Sequence, residues 1–596
     1  MFASRCATAA VLLRLAALTL AHGDDAYSEG DMSGMHKAKA PSGDGLPDYY
    51  AMPSYAGLGM HGKLMLAHVI LMVLAWFFIL PIGVVFSISR SRFTLPVQFL
   101  FLLLNGFGVL FGTVYNTNTP DLYENNAHHK IGWIATWIVT AQVIMSLVFR
   151  YSGRGKQSEA VSCERRAFLP VSVENMTQHN TRLYSDHRWS GDSGQGTEAS
   201  STLNSRDASP TNPDRRETYD DFEKPEPQPG AEDDDDESLS AKKPRNSWLR
   251  SNVLDKYLAS WVPNLLSAKI LRIIETSYNV IDRTILVLGF IALMTGGVTY
   301  VGMFRGANIF NGLAHFVKGG IFFWYGLLTL GRWMGCFAES GWAWNVKPTR
   351  SEVGQWKASL PSAEFVESFV IWLYGCTNVF LEHLAAWGGE WTAQDLEHVS
   401  ISIMFFGGGL CGMLIESKTV RKCLNAVVDN IPAGSGMPSA QALELRTQPK
   451  QYGTSLNPMP ALIILLLGMM MSSHHQDSMT STMVHKQWGT LLAGFSVARL
   501  VTYVVMYISP PSSIYPSRPP TELVSSFCLI SGGIVFMAST KDIIHYMEGA
   551  NLMAMFVFTV TMGFTAFIMS YEVFVLCLKG WAYRKELKAA QKSRRL

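Results

Sequence analysis

Histidines are the residues of this chain whose type and placement could do chemistry. Of the 15, only His179 and His187 fall in the polar middle of the sequence, which leaves thirteen: His22, His36, His61, His68, His128, His129, His315, His383, His398, His474, His475, His485 and His545. Those thirteen lie at the ends of apolar runs, on what the topology below makes the outer side of a membrane. Imidazole is the commonest side-chain metal ligand and also the group that titrates nearest neutral pH. The second half of the chain adds carboxylates beside it, in Glu382-His383, Asp395-x-Glu397-His398 and His474-His475-Gln476-Asp477, followed by His485. If these helix ends converge, His383, His398, His474, His475, His485, Glu397 and Asp477 could offer three or four donors to Cu, Fe or Zn. Met479 and Met483 follow His475 on one helical face and would add softer donors suited to Cu(I). Adjacent Glu and His point to different sides of a helix, so one of each pair would bind. A hydrogen-bonded polar plug or a proton-responsive cluster uses the same residues.

These groups must be positioned by helices in a bilayer. The 596 residues are 48% hydrophobic and only 16% charged, well below the roughly 25% charge of a soluble globule. A spanning helix needs about 20 mainly apolar residues. Three such runs come early, at 64–88, 95–114 and 131–149, and eight follow, at about 285–304, 313–333, 364–386, 396–415, 459–473, 484–508, 523–538 and 551–580. The expected fold is an all-α polytopic transmembrane bundle of 3 + 8 spans.

Between the two blocks, residues 151–245 are rich in Ser, Asp, Arg and Pro and include the acidic run from Glu232 to Glu237. Such a stretch cannot bury enough apolar surface to offset its chain entropy and reads as a disordered linker, a place for partners to bind. Residues 246–280 alternate aromatic and aliphatic groups with Arg250, Lys256, Lys269 and Arg272, which suggests a helix lying in the membrane interface; a packed helix outside the membrane fits equally. Residues 1–21 read as a signal peptide, with an uncleaved anchor as the competing reading, and residues 22–60 as a short outer segment.

Lys and Arg in short loops fix the direction. With the N-terminus outside, the inner loops carry Arg90, Arg92, Arg150, Arg154, Lys347, Arg350, Lys357, Lys418, Arg421 and Lys422, and residues 581–596 form a basic cytosolic tail. Outer loops hold few cations, and the Asn175-Met-Thr sequon then lies inside. This places the protein in a membrane of the secretory pathway. Arg499 falls in the inner half of its span, where Glu416, Glu522 and Glu572 are its candidate partners and Glu572 the first choice. The Gly407–Gly409 run reads as close helix packing. No Walker loop, dinucleotide fingerprint, HExxH or GxSxG motif occurs, so soluble-enzyme chemistries fall away, as does nucleic-acid binding at a net charge of +2.

The early block contains His68-x3-Met72-x2-Ala75-Trp76-x4-Pro81-x-Gly83 and then His128-x3-Gly132-x9-Gln142. These spacings resemble the cytochrome b561-type membrane domain, and the resemblance implies that His68 and His128 hold haem b through both axial positions. The family's second histidine pair is missing, because the middle span carries Gln98 and Asn105 but no His. At most one haem, on the outer side, is therefore implied. The whole chain resembles the fungal Ytp-like membrane proteins, through this block, the linker and His474-His475-Gln476-Asp477-x7-His485-Lys486-Gln487-Trp488-Gly489. The second block is also weakly similar to the vertebrate TMEM45-type proteins in its Glu397-His398 and double-His features. These likenesses carry no activity with them. Three functions stay open: a redox or metal-handling membrane protein, a cation or proton transporter or sensor on a haem-free b561-derived scaffold, and a structural membrane organiser that works through the linker.

Overall fold

The computed structural model describes residues 52–152, 268–306, 308–381, 390–430, 447, 449–473 and 476–594. The expected signal peptide and linker, most of the outer N-terminal segment, and His383, His474 and His475 lie outside the described residues. The described part is helical, without a strand, and each of the eleven expected spans corresponds to one helix.

In chain order the spans are α1 (Gly62–Ile88), α2 (Thr94–Thr117), α3 (Ala127–Ser152), α4 (Ala268–Val301), α5 (Asn308–Met334), α6 (Ala363–Leu381) and α7 (Ala393–Glu416). After the short amphipathic α8 (Lys418–Asp429) come α9 (Met459–Ser473), α10 (Met479–Ile508), α11 (Thr521–Ala538), the short α12 (Lys541–Gly549) and α13 (Ala554–Arg594). Nine of these helices are long and apolar enough to cross a membrane; α9 has only 15 residues, and α6 carries Glu364 and Glu367. Many of their apolar side chains face outward, as lipid-facing surfaces do: Leu66, Leu103, Trp137, Ile403 and Met555 are more than half exposed.

Sequence chemistry accounts for the main features. Pro81 removes a backbone donor from α1, and the turns before it widen into a π-helix at Leu74–Ile79, bending the span. Glycines let helix backbones touch in the second block. A Cβ on Gly319 of α5 would lie 2.6 Å from the carbonyl oxygen of Gly533 on α11, and one on Gly468 of α9 would lie 2.6 Å from that of Gly489 on α10. Small residues at such crossings replace the hydrophobic drive that helices lack in lipid. The Gly407–Gly409 run follows the same logic, because Gly409 of α7 packs directly on the α6 backbone at Trp372.

One helix changes allegiance relative to its place in the sequence. The chain from Ala268 to Val301 is a single helix, so residues 268–280 of the expected interfacial segment are instead the first turns of the span α4. This helix packs on α3 and α1 and completes a four-helix group around Trp76, Phe101, Val139 and Ile285. The last helix, α13, then joins the halves: its Tyr571 stacks on Phe77 of α1, and its Ile568 packs with Phe323 of α5 and Ile530 of α11.

Candidate functional site

Two pairs of histidines meet at one end of the bundle. In the first, His68 in the second turn of α1 faces His128 at the start of α3, with ring centroids 6.3 Å apart and planes at 79°. Each ring is fixed from behind by a carbonyl oxygen of a different helix. His68 Nδ1 bonds Gly108 O of α2 at 2.7 Å, and His128 Nδ1 bonds Ala292 O of α4 at 3.2 Å. A carbonyl only accepts, so Nδ1 is the donor in both rings and Nε2 is left as the basic nitrogen, the arrangement that orients ligating imidazoles.

Glycines make room for both rings. A Cβ on Gly112 would lie 2.7 Å from His68 Nδ1, and one on Gly296 would lie 3.0 Å from His128 Cε1. His129 next door is exposed, with its backbone N–H bound to Asn126 Oδ1, and His61 caps α1 with a positive φ. Neither joins the pair.

The spacing of this pair suits a metal held between two imidazoles. A metal–nitrogen distance of about 2.0–2.1 Å on each side, plus about 1.2 Å from nitrogen to ring centre, puts the centroids of a linear unit about 6.4–6.6 Å apart, close to the 6.3 Å of this pair. No group of three or more His, Cys, Asp or Glu that could hold a metal occurs among the described residues. A donor set of only two imidazoles fits a metal whose remaining positions are filled by a macrocycle, as in haem b, better than a bare ion that needs three or four protein ligands.

Further along the same bundle, polar side chains fill the interior. Trp76 Nε1 donates to Asn105 Oδ1 at 2.9 Å, and Asn105 Nδ2 donates to Thr136 Oγ1 at 3.2 Å. Towards the other end Asp282 of α4 accepts from Ser87 and Gln142, while the Tyr278 hydroxyl bonds Ser87, Gln98 and Ser146.

The second pair joins His315 of α5 to His485 of α10, with centroids 6.2 Å apart and planes at 87°. Here each Nδ1 bonds a carbonyl one turn back on its own helix, Asn311 O at 2.8 Å and Ser481 O at 2.8 Å. His398 and Lys318 lie within electrostatic reach of His315. Of the residues expected to form a metal cluster, the structure brings His485 and His398 towards one place. Glu397 lies on an exposed face of α7, and Asp477 is 95% exposed and lies 3.8 Å from Lys541. Sequence spacing missed His315, whose partner is 170 residues away; its membership of the set on one side was the available signal.

A cavity of about 860 Å³ begins beside this pair. Its lining is mostly aromatic and aliphatic, with Lys318 and His398 towards the histidine end and Tyr325 and Glu367 deeper in. Behind Glu367 lies a buried ion cluster. Arg332 binds Glu367 at 2.6 Å and Glu364 at 3.1 Å; Arg499 binds Glu522 at 2.7 Å and Glu367 at 3.4 Å. Both guanidinium groups lie over Trp344, in the loop after α5. The expected first-choice partner, Glu572, instead faces Gly331 on another side of α5, and Glu416 is bound by Ser362 and Ser455.

Comparisons with known proteins agree with this architecture. Residues 288–580 match the family model described as "Protein YTP1-like, C-terminal", and residues 50–152 match a domain of unknown function, DUF2427. The chain is 33% identical over 526 residues to an uncharacterized membrane protein of Schizosaccharomyces pombe, covering 87% of this chain and 94% of that one. It is 38% identical over 327 residues to the uncharacterized membrane protein YCR061W of Saccharomyces cerevisiae, covering 53% of this chain and 50% of that protein. It is 22% identical over 263 residues to Protein YTP1 of the same yeast, covering 43% and 45%. No solved structure matches.

Proposed function

The chain belongs to the Ytp1-like family of integral membrane proteins, and from that premise we propose that it is a redox or metal-handling membrane protein whose first block holds one haem b between His68 and His128. The observation that carries this reading is the imidazole pair itself: two rings 6.3 Å apart, each with Nδ1 committed to a backbone carbonyl. When bound, the haem would supply one-electron transfer. The chain's own part is to fix both tautomers, to hold the rings at one depth through Gly112 and Gly296, and to fill the interior beyond with hydrogen-bonded polar side chains. The b561-type likeness of the histidine spacings belongs to the same reading. So does the orientation, with the N-terminus and the histidine end on the outer or lumenal side and the basic tail in the cytosol. In the same reading, residues 151–245 lie on the cytosolic side and recruit partners there.

The test is a reduced-minus-oxidised spectrum of the purified full-length protein. A haem b difference band, lost in both His68→Ala and His128→Ala while each variant still runs as a folded monodisperse species, is the expected result. Equal spectra from wild type and both variants would remove the axial assignment.

A transport reading is favoured by a different observation, the cavity that runs from His398 and Lys318 to Glu367. Cation or proton passage would make metal- or pH-dependent uptake fail in His398→Ala and Glu367→Gln at unchanged abundance, with the haem spectrum intact.

A further inference from the structure

We propose that the short helix α8 lies in the membrane interface at the end of α7 and binds the headgroups of anionic lipids there. The proposal is independent of the haem. Its choice of anionic lipid rests on the orientation proposed above, which puts this end of α7 in the cytosolic leaflet, where acidic phospholipids concentrate.

Residue spacing divides α8 into two faces. Val420, Cys423, Leu424, Val427 and Val428 recur at the i, i+3, i+4, i+7, i+8 positions of one helical stripe, while Lys418, Arg421, Lys422, Asn425 and Asp429 fall on the opposite side. Ser417 sets where the helix starts. Its extended backbone ends α7, and its hydroxyl oxygen accepts from the backbone N–H of Val420 at 3.5 Å. One residue therefore separates α8 from the span, and the amphipathic turns begin at the level where α7 leaves the hydrocarbon.

Packing decides which face looks outward. The Arg421 guanidinium lies over the Tyr452 ring, 5.6 Å from its centroid, and Asn425 on the same side is half-buried. The polar face is thus turned towards the segment that precedes α9. The apolar face looks away from it: Leu424 is 75% exposed, Val427 79% and Val428 66%, so none of the described residues covers them. Neighbouring aliphatic side chains bared to that extent mark a surface that another phase or partner covers. The stripe continues the outward-facing Leu410, Leu414 and Ile415 of α7, which already face lipid as part of a span. That continuity makes the bilayer the occupant, because a helix with one apolar and one basic face lies in its interface.

Charge selects the lipid. Lys418 and Lys422 are exposed, and Asp429 is the one anion on the helix. Lys347, in the loop after α5, joins them: burial first, and then the nearby charge of Lys418, holds its ammonium below the usual lysine range. Cations gathered closely enough to repel one another are relieved by lipid phosphates and carboxylates. With the stripe in the acyl region, the lysine stems are long enough to carry their charges up to the headgroups.

The experiment is photolabelling of the full-length wild-type protein in vesicles by a phospholipid carrying a diazirine near the head of one acyl chain, with the labelled peptides located by mass spectrometry. The vesicles are phosphatidylcholine alone or phosphatidylcholine with phosphatidylserine, identical in both leaflets, so a wrong orientation cannot imitate failure of the site. Label on residues 423–428 is expected, rising several-fold with phosphatidylserine, within the roughly fivefold that each lysine near an anionic surface supplies. The rise should vanish at about 1 M salt, where the screening length is about 3 Å. The double variant Lys418→Gln/Lys422→Gln should lose both the phosphatidylserine and the salt dependence, while label on Ile403 of α7 stays constant and reports an intact fold. Label on the stripe from a water-soluble diazirine in place of the lipid one, or protection from both reagents by a protein cover, overturns the interfacial placement. Equal labelling in the two lipid mixtures overturns the recognition of anionic headgroups.

Discussion

Arg499 and Glu522 should not be equivalent as mutational targets, although they bind each other. The cluster holds two arginines against three glutamates, Glu364, Glu367 and Glu522, so its formal charge with every group ionised is −1. At an effective dielectric of about 20, Coulomb's law gives about 6 kcal/mol of gross attraction for Arg499 to Glu522 at 2.7 Å, and about 5 kcal/mol for Arg499 to Glu367 at 3.4 Å. Those attractions offset the several kcal/mol lost in dehydrating each ion. Arg499→Met deletes both and leaves Glu522, which is fully buried, with no cation; the expected loss is about 3–5 kcal/mol. Glu522→Gln is nearly isosteric, brings the formal charge to zero and leaves Arg499 its second partner, so it should cost less than about 2 kcal/mol. Thermal unfolding of the detergent-solubilised protein, followed by fluorescence-detected size exclusion, reads the difference as a fall on the order of 5–10 °C for the first and a few degrees or less for the second. The double variant should recover at least half of the Arg499→Met loss. Equal damage from both single changes, or no recovery in the double, would refute the charge-balance argument.

Gly112→Ala places a methyl 2.7 Å from His68 Nδ1 and 2.9 Å from Cε1, so the ring must move and give up its bond to Gly108 O. Haem content or the haem spectrum should change strongly at near-normal protein yield, and Gly296→Ala, with its closest approach at 3.0 Å, should do less. Within the glycine run of α7, Gly409→Ala drives a Cβ to 2.4 Å from Trp372 N, whereas Gly407→Ala meets nothing within 4 Å. The first should lower the melting temperature by several degrees, as overpacking against backbone does, and the second should leave it within a degree or so.

What the sequence made legible follows from what apolar length and charge can encode. Each expected span became a helix because about 20 apolar residues have one stable form in lipid. The His68–His128 pairing was also legible, since both residues stand at helix starts of the same direction and therefore at one depth. Depth is all that such reasoning supplies, however, and azimuth is not. Arg499, Glu522 and Glu572 all sit at plausible levels, yet only Glu522 is turned towards the guanidinium, and Glu367 was invisible because its helix meets α10 through packing that no spacing records. His315 escaped for the same reason. The allegiance of α4 depends on which lipid-facing stripe finds a partner, and its apolarity alone does not settle that.

The most direct measurement is the visible and low-temperature paramagnetic resonance spectrum of the purified wild-type protein, combined with its haem content per chain. One haem b per chain with the low-spin signature of two imidazole ligands is expected, which follows from two tautomer-fixed rings at matched depth. A folded protein supplied with haem during expression that carries none, or a haem whose spectrum shows a single histidine ligand, would contradict it.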